Sequence, residues 1–164
     1  MTMSHEIDRA RFASAEIASF WWFTHRSLEG FMEVIEGLTI DELNWRPPAP
    51  ETNSIYALTA HTLGNVRMHV FRVLLGESIE RDRDAEFQSV ASPANVPVPG
   101  WPALRDEVEM ALAAMPSAIL DQQFEHPVFG PMPGRDVLMV MMRHTAEHHG
   151  QVELTRDLAV AART

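Results

Sequence analysis

His144 and His148 stand four residues apart in the segment His144-Thr145-Ala146-Glu147-His148-His149-Gly150-Gln151. On a helix, positions i and i+4 share a face with Cβ atoms ~5–6 Å apart, so two imidazoles there can hold one ion at ~2.0–2.1 Å per bond. Val137, Val140, Met141, Val152 and Thr155 fall on the same face, which is expected to point the pair into the protein and away from water. His61 follows Leu58 by three residues and precedes Asn65 by four, and from an inward position it could supply a third ligand. A histidine on an apolar face is more often a hydrogen-bonded core residue, so spacing alone leaves both readings open. Gly150 is expected to allow close helix approach beside the pair, and Gln151 falls on the pair's face.

Composition removes several other chemistries. There is no cysteine among the 164 residues, which excludes disulfides, Cys-rich zinc sites, iron–sulfur clusters and a catalytic thiolate of the chain's own. All 13 basic residues are arginine, so neither a Schiff-base lysine nor a P-loop lysine is available. A formal net charge of −10 repels a phosphate backbone, and nucleic acid is not expected as a partner. The N-terminal stretch mixes Glu6, Asp8, Arg9, Arg11 and Glu16 with its apolar residues, unlike the uncharged core of a signal peptide. Apolar runs such as Val137 to Met142 are far shorter than the ~20 residues of a membrane span. A cytoplasmic protein with no membrane partner is expected.

The elements that must position the histidines follow from periodicity. Residues 1–164 fit one domain. Ile17, Trp21, Leu28, Phe31 and Ile35 recur at helical spacing, predicting a first long helix from about Ile7 to Ile35. A Pro-rich break from Trp45 to Pro50 follows, and Asn53 or Ser54 can cap a second helix running to Leu75, where Gly76 ends it. The 77–101 stretch, with Pro93, Pro97, Pro99 and Gly100, reads as a long crossover without helix or central strand. Such a loop could cover a site or serve as a simple tether. A third helix is expected from Pro102 to Ala114, a break at Pro116, a turn cluster over Phe129 to Gly134, and a last helix from Arg135 to Ala161. No stretch sustains strand alternation, so the fold class is all-α, a bundle of four long helices whose crossover lets two neighbours run parallel.

Three segments resemble one known superfamily: Trp45-Arg46-Pro47, Ser54-Ile55-Tyr56-Ala57-Leu58-Thr59-Ala60-His61, and the segment from His144 to Gln151. The chain resembles the DinB and YfiT-like metalloenzymes, which include bacterial low-molecular-weight thiol transferases. The matches are to the family's tryptophan before a proline-containing break, its helix-two histidine and its His-x-x-x-His-x-Gly-Gln signature, and with the helix order they span nearly the whole chain. The resemblance implies a four-helix bundle with a long crossover, often a homodimer, in which His61, His144 and His148 hold a divalent metal.

Three neutral imidazoles leave such an ion its charge and an open position, the pattern of catalytic zinc. An ion of that kind deprotonates a coordinating thiol and lowers the pKa of bound water. With no cysteine in the chain, a thiol must come from a cosubstrate such as bacillithiol, mycothiol or glutathione, as the resemblance suggests. Thiol addition to an electrophilic small molecule leads. A hydrolase using metal-bound hydroxide is the alternative, and a metal-binding stress protein without turnover is a third reading. Zinc is the first choice of metal and nickel the second.

Glu147 could act as general base or orient a ligand, against the plainer role of a solvated side chain; Asn65 and Gln151 could bind substrate or metal-bound water, against ordinary interhelix hydrogen bonding. Trp21, Trp22 and Phe23, and the Met139, Met141 and Met142 group, read as packing or a subunit contact. His25 reads as core or surface, His69 as rotated ~80° from His61 and a poor fourth ligand, and His149 as ~100° round from His148. His5 and His126 are expected to be exposed.

Overall fold

The computed structural model describes residues 6–96, 98 and 100–162. His5, Pro97 and Pro99, which carried sequence expectations, lie outside the described residues. The protein is mostly helical: α1 (Ala15–Glu36), α2 (Ile40–Asn44), α3 (Ile55–Arg67), α4 (Arg83–Phe87), α5 (Trp101–Ala114) and α6 (Gly134–Ala161), with strands β1 (Gln123–His126) and β2 (Gly130–Pro133) before α6.

Helix α1 begins later than the expected start near Ile7. Ser14 is extended and its Oγ accepts from the Ile17 N–H at 3.4 Å, so the helix is capped there and residues Arg9–Arg11 form only a 3₁₀ turn. Helix α2 arises from a capping box in which Thr39 and Glu42 satisfy each other's backbone N–H groups. Ser54 caps α3 through the Ala57 N–H at 3.2 Å. The helix then continues as a π-helical segment over Met68–Leu74, and Gly76 follows at φ +70°, the left-handed conformation expected of a terminating glycine.

The expectation that 77–101 holds no helix is corrected by α4. Its N-cap Asp82 accepts from the Ala85 N–H at 2.9 Å, which nucleates one short turn inside a charged segment. Arg46, from the Pro-rich break, donates to the Phe87 carbonyl at 2.9 Å and ties that break to the end of α4. The turn cluster at Phe129–Gly134 likewise contains an element that periodicity does not reveal, because β1 and β2 are four residues each and pair antiparallel with Phe124 opposite Met132.

Two apolar clusters hold these elements. One joins Trp21 and Leu28 of α1 to Val108 and Leu112 of α5 and to Val137, Leu138 and Met141 of α6. The other joins Phe31 and Ile35 of α1, Leu43 of α2, Ile55 and Leu58 of α3, and Val152 of α6, with Phe87 of α4 packed on it. Trp21 is fully buried and its indole N–H donates to Glu109 at 3.2 Å, as its packing role requires. No described helix is long and apolar enough to cross a membrane.

Candidate metal centre

Helices α3 and α6 pack together and bring His61, His144 and His148 to one point. One ligating atom from each of the three rings lies within 4.8 Å of the others. His61 Nε2 stands 3.1 Å from His144 Nε2. Donors on a tetrahedral ion with 2.0–2.1 Å bonds are about 3.3 Å apart, so these two nitrogens are already near the required separation. The His144 and His148 rings meet edge to face at 4.3 Å between centroids, as the i, i+4 spacing predicts.

Two of the three rings are fixed in the tautomer a ligand needs. His61 Nδ1 donates to Glu86 Oε2 at 3.0 Å, leaving Nε2 with a lone pair towards the centre. His148 Nδ1 donates to Gln151 Oε1 at 2.6 Å, which frees its Nε2 in the same way. Histidine ligands are commonly oriented by such partners. Glu86 is itself clamped by Arg81, whose Nε and Nη2 each donate to a carboxylate oxygen at 2.7 Å. The Phe87 ring stacks on His61 with centroids 4.2 Å apart. Gly64, one turn beyond His61, makes the approach of Glu86 possible, because a Cβ there would collide with the Glu86 carboxylate.

The electrostatics favour neutral imidazoles. Burial, then the neighbouring His148 and His61 rings, pushes His144 down to about 3. Burial also lowers His148, against the raising effect of the Gln151 hydrogen bond. Burial alone would raise the Glu86 carboxyl, but hydrogen bonds from His61 and Arg81 outweigh it and hold the group ionised below its ordinary range. His144 and His148 are therefore favoured as neutral imidazoles, each keeping one N–H, without any metal to displace a second proton. His144 Nδ1 is buried with no hydrogen-bond partner, so that ring is held by packing and its neighbours alone. This donor set, three neutral imidazoles with a carboxylate behind one of them, fits a divalent ion.

A cavity of about 500 Å³ opens onto the three histidines and is lined also by Pro47, Leu58, Arg83, Phe87, Gln151, Leu154 and Leu158. The crossover thus forms one wall of the site. Of the other sequence candidates, Gln151 lines the cavity and spends its side-chain oxygen on His148. Glu147 is exposed and paired with Arg143 at 3.0 Å, and Asn65 is buried with an unpartnered Oδ1. Neither is among the cavity's lining residues.

Other histidines settle elsewhere. His126, expected to be exposed, is buried: its Nε2 meets His69 Nε2 at 3.1 Å, and its Nδ1 accepts from the N–H groups of Val128 and Phe129. The proline-flanked loop hid this role because the ring caps a hairpin turn. His25 is buried beside Trp21 and Trp101. His149 turns towards α1 and packs over Gly30, whereas Gly150 has open space around it and promotes no close approach. Sequence reasoning missed Arg81, Glu86 and Phe87, which lie 20 or more residues from His61. A glycine on the His61 face of α3 was the available signal, since a helical glycine often marks a close contact.

Comparison with known proteins accords with this architecture. The sequence profile of the DinB superfamily matches residues 24–152. A crystal structure of a conserved protein from Enterococcus faecalis superposes with a TM-score of 0.61 at 18% identity, covering 87% of this chain and 96% of that one. At that identity the likeness concerns the fold. A search of curated proteins gives no match.

Proposed function

The chain belongs to the DinB superfamily, and we propose that it is a divalent-metal-dependent enzyme transferring a low-molecular-weight thiol to an electrophilic small molecule. The observation that carries this reading is the convergence of His61, His144 and His148 at the wall of a cavity large enough for a substrate. A divalent ion bound there supplies the charge that converts a coordinated thiol to thiolate at neutral pH. His61 and His148 would hold that ion through Nε2, since Glu86 and Gln151 occupy the opposite ring nitrogens. The sulfur must come from a cosubstrate, since the chain has no cysteine. Its proton passes to solvent, its electron pair forms the new S–C bond, and a leaving group departs with the pair of the bond it breaks. Leu58, Leu154, Leu158 and Phe87 supply apolar walls against which the electrophile can pack.

This reading takes zinc first and nickel second as the metal. It also takes the long helices α1, α3, α5 and α6 as a four-helix bundle, the assembly as a homodimer and the cytoplasm as its place.

Metal analysis of the purified protein, followed by bacillithiol, mycothiol and glutathione assayed with 1-chloro-2,4-dinitrobenzene, tests it. Conjugation that a chelator stops and added metal restores is the expected result. Ester cleavage without added thiol would instead select the hydrolase, and stoichiometric metal with neither activity would select a binding protein.

A further inference from the structure

Arg83 lines the cavity and is the one arginine among its described lining residues. Its guanidinium lies 4.7 Å over the Phe87 ring, and it enters no ion pair among the described residues, whereas Arg81, two positions before it, is engaged by Glu86 and by the His61 carbonyl. An arginine with its hydrogen-bonding edge free and its face supported by an aromatic ring is preorganised to take a planar anion through two N–H groups. Arg83 is also close enough to His148 for its charge to act on that ring. The same cavity has apolar walls from Leu58, which is buried, and from Leu154 and Leu158, which are 61% and 44% exposed and so accessible to a ligand's apolar part.

We propose that this cavity selects a small organic acid, its carboxylate held by Arg83, its apolar body against Leu154 and Leu158, and its reacting end at the three histidines. The charge count favours a carboxylate over a phosphate. A single arginine is available, Glu51 also lines the cavity, and the chain carries a net charge of −10, all of which penalise a dianion. The inference deepens the proposed function and rests on it for what the histidines do, but the Arg83 contact itself needs no metal.

Hexanoate and its neutral isostere hexanamide separate the two ideas. Their affinities are compared by calorimetry at low salt on the protein as purified and after chelator treatment, in the wild type, Arg83→Gln and Arg83→Lys. Expected is a five- to tenfold preference, roughly, for hexanoate in the wild type in both preparations, lost in Arg83→Gln and partly kept in Arg83→Lys. Equal affinities in the wild type, no measurable hexanoate binding, or a preference that survives Arg83→Gln would overturn the assignment. Failure of the protein to bind metal would instead remove the catalytic reading, and the chelator-treated arm would still decide whether Arg83 recognises carboxylates.

Discussion

His61 is held on two sides, by the Glu86 carboxylate at its Nδ1 and by the Phe87 ring on its face. Truncating Glu86→Ala should weaken metal binding about 10–100-fold with the helices intact, as read by competition with a chromophoric chelator and by far-UV circular dichroism. A second group, away from the metal, adds to the acid sensitivity that His144 and His148, both lowered by burial, already confer. Burial lowers His69 to about 4, and His126 against it is lowered as well. The unfolded chain, with an ordinary histidine near 6.5, therefore takes up protons first as pH falls. Stability present above pH ~6.5 is lost progressively towards pH 4, by up to about 3 kcal/mol for His69. Urea midpoints measured with chelator present should fall across that window, and less steeply in His69→Gln. The three ligand candidates were legible because i, i+4 spacing and an inward face are local properties. Glu86 and the His69–His126 contact were not, since each joins residues that only the folded chain brings together.

Helix α4 shows how a short element can matter to a site. Five residues capped by Asp82 present Glu86 and Phe87 to His61 and Arg83 to the cavity, and they can do so because α3 carries Gly64 at the contact. Gly64→Ala should therefore separate two effects. Alanine favours the helix by up to about 1 kcal/mol, yet its Cβ occupies the place of the Glu86 carboxylate. Metal affinity should fall as in Glu86→Ala while α3 remains helical, measured by the same competition and dichroism. Long elements such as α5 and α6 were readable to within a residue, because an apolar stripe repeated over many turns leaves few alternatives. The start of α1 was placed too early: the apolar repeat begins at Ile17, and the Ser14 cap starts the helix just before it. Elements of four or five residues, α2, α4 and the hairpin strands, offer no such repeat. The π-helical stretch after Arg67 has an ordinary helical sequence and differs only in its hydrogen-bond pattern.

The two apolar clusters meet along α1 and α6, so the histidines on α3 and α6 are carried by helices whose other faces are buried. Rigid supports of this kind let an ion act as a crosslink between chain segments 83 residues apart. An ion bound a thousandfold above its Kd stabilises the folded state by about 4 kcal/mol, which for a chain of this size raises Tm by about 10 °C. Calorimetric scans with and without chelator should show that shift in the wild type and not in His61→Ala. X-ray absorption of the zinc-loaded protein tests the three-histidine centre most directly. Three imidazole nitrogens at about 2.0–2.1 Å with one further light-atom ligand, reduced to two imidazoles or to an unloaded protein in His61→Ala, is the result expected. Fewer than three imidazoles around the metal, or a spectrum unchanged by His61→Ala, would contradict it.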